Sequence, residues 1–254
     1  MTRWPMPTLS GAEEFRADGG PVGVVLSHGF TGTPASMRPW ARHLADAGHA
    51  VRVPLLPGHG TSWRDLANTA WPQWYDAVEQ AYLELAGQCA HVFAAGLSMG
   101  GTLVTRLAER QPVAGLVLVN PSFGTTRPGA RFARVIAPLA PSVAGLGGDV
   151  KKPGASEHGY ARTPLRAFAS LRQLWAVTLA DLPRVTAPIL AYRSRVDHVV
   201  EPLSGRLLRE RATATHVREV ILENSYHVAT LDHEAPMIFA GSVEFIDEVL
   251  GGGR

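Results

Sequence analysis

Cysteine is nearly missing from this chain: Cys89 stands alone among 254 residues. No disulfide can form within the chain, and no Cys/His spacing resembles a zinc site. Lysine is almost as scarce, confined to Lys151 and Lys152, so the other basic residues are all arginine. The 24 basic and 22 acidic side chains nearly cancel, to a net charge of +2 with no run of either sign. That balance leaves no nucleic-acid footprint. No apolar stretch approaches the roughly 18 residues of a membrane span, and the opening M-T-R-W-P-M-P-T-L-S lacks the apolar core of a secretory leader. A cytoplasmic protein is therefore expected.

With 46% apolar and 18% charged residues, the chain has the composition of a globular protein with a sizeable core, and its length suits one large α/β domain. Short apolar runs at 22–27, 50–55, 92–95, 115–119, 189–192 and 217–222 read as strands. Most are apolar throughout, as strands covered on both faces must be. Amphipathic stretches at 37–47, 73–86, 102–109, 203–210 and 236–249 read as the helices between them. That alternation predicts an α/β fold with a mostly parallel open sheet covered by helices on both faces.

The rhythm breaks between residues 122 and 175, where no strand candidate occurs and Gly and Pro recur, as in A-G-L-G-G-D-V-K-K-P-G. The expected organisation is therefore a core made of 1–121 and 176–254 with an insertion, 122–175, over the sheet. Within the insertion Phe132, Val135 and Ile136 share one face of a short helix that ends before Pro138. That face either packs on the core, covers a greasy pocket, or meets a lipid surface.

Residues 96–102 read G-L-S-M-G-G-T. In a chain with 13 serines and 26 glycines, a G-x-S-x-G pattern arises by chance about 0.14 times, so context has to decide its meaning. Here it follows the strand H-V-F-A-A and opens the helix G-T-L-V-T-R-L-A-E-R, the strand-turn-helix setting of a nucleophile elbow. On so tight a turn the backbone is strained, and glycines at 96 and 100 let neighbouring chain approach Ser98. The elbow also places the Met99 amide at a helix N-terminus, where it can stabilise an oxyanion. The loop S-H-G-F-T-G-T-P, residues 27–34, supplies the second donor expected of such a site, the Phe30 N–H, and leaves His28 a structural role.

A hydroxyl of ordinary pKa needs a histidine to take its proton and an acid to orient that histidine. In the chain order of this architecture, Ser then acid then His, the loops after the last two strands carry Asp197, in R-S-R-V-D-H-V-V, and His227, in E-N-S-Y-H-V-A-T-L-D. Asp181 and His216 precede their strands and fall at the wrong edge. His59, in L-P-G-H-G-T, either shapes the turn after the second strand or lines a pocket mouth.

The words H-G-F-T-G-T-P, G-H-G, G-L-S-M-G-G-T, D-H-V-V and N-S-Y-H-V-A-T-L-D, in this order, resemble those of the α/β-hydrolase superfamily. The chain looks most similar to bacterial monoacylglycerol lipases and related carboxylesterases. The resemblance implies Ser98, Asp197 and His227 as catalytic triad, Phe30 and Met99 as oxyanion donors, and the insertion as a small cap over an acyl tunnel. It further implies Glu157 as a contact to a glycerol head, with His59 as a second substrate-binding candidate. It implies neither cofactor nor metal, and a small lipid ester as the substrate, with transient lipid-surface contact through the cap. The acid loop departs from the common G-x-x-D form, having Ser194 where Gly is frequent. A short-chain carboxylesterase would use the same machinery, and a non-catalytic binder on this scaffold would lack a triad member.

Overall fold

The structure, a computed structural model, describes residues 9, 11–145, 148–157 and 159–251. Leu9 apart, the N-terminal stretch read above for a leader lies outside them, as do two residues of the A-G-L-G-G-D run, 146 and 147. Strands in chain order are β1 (Phe15–Ala17), β2 (Val22–Ser27), β3 (Ala50–Val53), β4 (His91–Leu97), β5 (Leu116–Val119), β6 (Ser142–Ala144), β7 (Arg162–Pro164), β8 (Ile189–Ser194) and β9 (Val217–Leu222). Helices are α1 (Arg38–Asp46), α2 (Trp63–Leu66), α3 (Trp71–Ala86), α4 (Met99–Ala108), α5 (Ala133–Ile136), α6 (Leu165–Asp181), α7 (Leu203–Arg211) and α8 (Ala235–Gly251).

All six expected strands join one seven-stranded sheet of order β1-β3-β2-β4-β5-β8-β9. Every pairing from β3 to β9 is parallel; only β1 runs antiparallel, on the edge beside β3. Side chains alternate across the sheet, as the two-residue strand period demands. Val24, Leu26 and Phe93 meet Trp40, Leu44, Ile238 and Phe245 of α1 and α8. Val25, Ala94 and Leu118 meet Trp74, Val78, Leu103 and Leu171 of α3, α4 and α6 on the other face. Trp40 and Trp74 are fully buried, and truncating such a side chain costs about 3–5 kcal/mol. Helix α3 starts two residues before the expected position because Pro72, which suits a first turn, sits inside it, while the Gln73 side chain accepts the Ala70 N–H at 3.0 Å.

Two expectations need correction. The insertion does contain strands: β6 and β7 pair antiparallel, Ser142 opposite Pro164, in a hairpin too short to show in hydrophobic periodicity. The boundary at 175 also falls inside α6, whose Ala167, Leu171 and Leu174 are buried in the main core. The segment that lies off the sheet ends where α6 begins.

The short helix of that segment is turned opposite to core packing. Ala133 and Ala137 bury against Leu165, whereas Phe132, Val135 and Ile136 are exposed, joined by Leu139 at 91% exposure. Alanine is small enough to let α5 lie close to α6, and the larger apolar side chains are left facing outward.

Candidate active site

Because the sheet is parallel from β3 to β9, the loops after β2, β4, β5, β8 and β9 all emerge at one edge. Register brings them into contact: Ser27 pairs with Gly96, and Leu97 with Val119. Ser98 follows directly, with φ 56° and ψ −119°, a conformation costly for a residue bearing Cβ and found at functional turns. The flanking glycines make it attainable. A Cβ on Gly96 would lie 2.3 Å from the carbonyl carbon of Gly100, and one on Gly100 would lie 2.0 Å from the Ser27 carbonyl oxygen. Met99 is the first residue of α4, so its N–H has no intrahelical carbonyl to meet.

At the far loops, Asp197 Oδ2 lies 2.8 Å from His227 Nδ1, and Asp197 Oδ1 accepts the backbone N–H groups of Val199 and Val200 at 2.8 and 2.7 Å. A carboxylate only accepts, so the imidazole proton sits on Nδ1 and Nε2 is left bare. Burial pulls the His227 pKa down, but the charge and hydrogen bond of Asp197, followed by the charges of Glu157 and Asp149, outweigh it and raise the pKa above its ordinary value. Ser98 and His227 border one cleft, together with Phe30, Glu157, Phe168 and Trp175. A serine at a strained elbow, a histidine in that tautomer and an acid behind it can carry out nucleophilic acyl transfer.

Comparisons with known proteins identify the family. Residues 24–238 match the profile of the Alpha/beta hydrolase family. The chain belongs to that family. Within it, this α/β hydrolase is 42% identical over 246 residues, 96% of its own length and 98% of the relative's, to a "Thermostable monoacylglycerol lipase" of Bacillus sp. (strain H-257). It is 25% identical over 92% of its length and 96% of the relative's to a "Carboxylesterase" of Bacillus subtilis (strain 168). A solved structure described with LipS and LipT, two metagenome-derived lipolytic enzymes, superposes with a TM-score of 0.91 at 38% identity, covering 94% of this chain and 99% of that one.

Glu157 and His59 fare differently. Glu157 lines the cavity and rests against the loop of residues 27–34; a Cβ on Gly32 would come within 2.5 Å of its Oε1, so Gly32 is what leaves room for the carboxylate. Burial raises the pKa of Glu157, partly offset by His227, the Gly148 amide and the Ser36 hydroxyl. His59 does not line the cavity. It is buried behind the loop, its ring 5.0 Å from that of His28 and 5.7 Å from that of Trp74, with Nδ1 3.2 Å from the Pro57 carbonyl. Of the two readings open to it, the structure supports a role in shaping the turn.

His28 is structural as well. Nδ1 bonds the Gly29 carbonyl at 3.0 Å, and Nε2 accepts the Leu56 N–H at 3.3 Å. Only the neutral ring can do both. Burial, opposed in part by the Gly29 bond, lowers its pKa to about 4, and burial with the charge of His28 lowers that of His59 well below 6.5. An unfolded chain takes up these protons near pH 6.5, before the folded one does, so stability is full above 6.5 and falls as pH drops toward 4. For His28 alone the loss is about 3 kcal/mol. Thermal unfolding between pH 7.5 and 4.5 should show this decline in Tm, and NMR at pH 5.5 should show a neutral His28; a protonated ring there would contradict the assignment.

Sequence reading missed Asn120. Directly after β5, at φ 43°, it is buried, and its side chain joins three loops. Nδ2 donates to Ser194 Oγ at 3.0 Å and to the His227 carbonyl at 2.8 Å, while Oδ1 accepts the Ser194 N–H at 2.7 Å. Ser194 Oγ in turn donates to the Tyr226 carbonyl at 2.8 Å. The serine that departs from G-x-x-D is thus a strut between the acid and histidine loops. The only signal was an asparagine at a strand end, where its tolerance of left-handed backbone is useful.

Proposed function

We propose that the protein is a serine ester hydrolase that cleaves monoacylglycerols to glycerol and free fatty acid. The observation that carries this reading is the single cavity bordered by Ser98, His227, Phe30 and Glu157. Ser98 Oγ attacks the ester carbonyl while His227 Nε2 takes its proton, and the N–H groups of Phe30 and Met99 hold the oxyanion. Collapse expels the glycerol oxygen, which receives the proton from His227. Water, deprotonated by the same nitrogen, then attacks the acyl-enzyme and releases the fatty acid and Ser98.

Glu157 is suited to accept hydrogen bonds from free glycerol hydroxyls. Phe168, Leu171 and Trp175 give the acyl chain an apolar wall. Beyond Phe168 and Thr163 an open, largely apolar groove runs along α5 and the β6–β7 hairpin, lined by Ala133, Ile136, Val143 and Leu165, and suits an extended acyl chain. The exposed Phe132, Val135, Ile136 and Leu139, with Arg134 among them and Arg127 and Arg131 just before them in sequence, suit transient contact with a lipid surface. Kinship with a thermostable monoacylglycerol lipase supports the substrate class.

The test is kcat/KM on 1-monolauroylglycerol, dilauroylglycerol and ethyl butyrate. We expect the monoacylglycerol to be preferred, and Glu157→Gln to lower that preference about tenfold, the magnitude of one lost hydrogen bond to a charged group. Preference for ethyl butyrate would make the protein a short-chain carboxylesterase and remove Glu157 as a head-group contact.

A further inference from the structure

The segment between β5 and α6 has two carboxylates in its sequence, Glu157 and Asp149. Glu157 borders the cavity; Asp149 lies behind it, against the loops that carry the acid and the histidine. Asp149 Oδ2 accepts the backbone N–H of His198 at 3.1 Å and that of His227 at 3.2 Å. Its Oδ1 is 2.8 Å from His198 Nδ1, and its main-chain carbonyl accepts the Val228 N–H at 3.0 Å. The carboxylate is 13% exposed, against 58% for the His198 side chain.

The same stretch is held from the other side. Lys151 and Lys152 donate their backbone N–H groups to the Asp232 carboxylate at 2.7 and 2.9 Å, and this carboxylate also takes the N–H of Tyr226 at 2.9 Å. Residues 149–152 are therefore stitched to residues 226–228 by two carboxylates pointing in opposite directions.

The loops bearing Asp197 and His227 leave different strands; Ser194 ties them beside the strand ends, through the Tyr226 carbonyl, and farther out a second tie is needed to fix the two catalytic candidates themselves. Asp149 spans them, through the residue after the acid and through the histidine itself. We propose that Asp149 is a positioning residue for hydrolysis: a carboxylate lent by the cap segment that sets the spacing of the two loops and so maintains the bond between Asp197 and His227. This rests on the reading of Ser98, His227 and Asp197 as a working triad. Hydrogen bonds to an ionised acceptor are roughly twice as strong as neutral ones, and a misplacement of about 1 Å at a catalytic group costs on the order of 10²-fold in rate. The charged groups acting on the imidazole are Asp197, Glu157 and Asp149. His198 faces Asp149 in turn, and the Lys151 ammonium lies over the Tyr226 ring.

The experiment compares the full chain with Asp149→Asn, which keeps an acceptor oxygen but no charge, and with Asp149→Ala, which keeps neither. Hydrolysis of a soluble ester, p-nitrophenyl butyrate, is followed as kcat and KM across pH, with Tm as the check on folding. We expect Asp149→Ala to lower kcat about tenfold to a hundredfold with KM little changed. Asp149→Asn should keep more of kcat, and both variants should move the acid limb of kcat/KM to lower pH. A residue that only fastens the cap would lower Tm and leave both kcat and the limb at wild-type values, and that result overturns the proposal. If Asp149→Ala fails to fold, the limb in Asp149→Asn decides alone. A wild-type protein that hydrolyses no ester would remove the triad reading and this one with it; an active wild type with an unmoved limb in Asp149→Asn removes Asp149 alone.

Discussion

Ser98→Ala should abolish ester hydrolysis, lowering kcat by at least about 10⁴-fold while leaving the fold in place. The hydroxyl is the only group at the elbow that can form an acyl-enzyme, and neither the His227 ring nor the Phe30 and Met99 amides can replace it. What survives is the catalysis that binding and oxyanion stabilisation provide to attack by water, which is small. Removing Oγ deletes no hydrogen bond on which the elbow is built, because the turn is held by the backbone: Ser98 N–H to Val119 at 2.9 Å, and Ser122 N–H to the Ser98 carbonyl at 3.1 Å. The check pairs turnover of 1-monolauroylglycerol with a thermal melt. Retention of more than a few per cent of activity at an unchanged Tm would remove Ser98 as nucleophile. Covalent labelling by a fluorophosphonate, present in wild type and lost in the variant, gives an independent reading, since it requires an activated serine.

Gly100→Ala should be the most damaging single methyl group that can be added at the elbow. Its Cβ would sit 2.0 Å from the Ser27 carbonyl oxygen, 2.6 Å from that carbonyl carbon and 2.7 Å from the His28 oxygen. All three are backbone atoms, at the end of a central strand that pairs on both sides, so no side chain can swing away. Either α4 moves off the sheet or β2 shifts with the oxyanion loop attached. Overpacking in a rigid core costs about 1–3 kcal/mol and more where backbone must move, a large part of a typical stability of 5–15 kcal/mol. We expect Tm to fall by 10 °C or more, on the order of what several kcal/mol produce in a chain of this size, and the folded remainder to lose activity as Phe30 is displaced. Gly129→Ala, where an added Cβ meets nothing within 4 Å, is the matching control.

The main sheet was legible because strands covered on both faces must be apolar along their length, and most of its six expected runs are; β9, at the edge, keeps Arg218 and Glu219. That Ser98, Asp197 and His227 meet at one edge was legible for a related reason: parallel strands send their C-terminal loops to one side, so order along the chain stands in for proximity in space. The failures share a cause as well. The edge strand F-R-A and the hairpin strands S-V-A and R-T-P are three residues each, too short for any period, and Pro164 reads as a breaker. Helix α6 was not read from the sequence, and most of it fell inside the expected insertion, because nothing at residue 165 marks a return to the core. His59 was ambiguous because G-H-G fixes a turn but not the direction of a ring. Asn120 and Asp149 were invisible since their partners lie 74 and 107 positions away for the first and 49 and 78 for the second, and only folding makes them neighbours.

The short antiparallel strand β1 has a bearing on how copies of this protein meet one another. A parallel sheet ending at β3 would present a row of free amides and carbonyls on which a second chain could extend the sheet. Three residues of the chain's own N-terminal region occupy that row instead, and the middle one, Arg16, is paired with Glu84. Arg52 of β3 reaches across to the Ala17 carbonyl at 2.8 Å and the Asp18 carboxylate at 2.8 Å, tying the strand down. The β3 side of the sheet thus ends in a three-residue, charged strand, too short to template the pairing of a second chain.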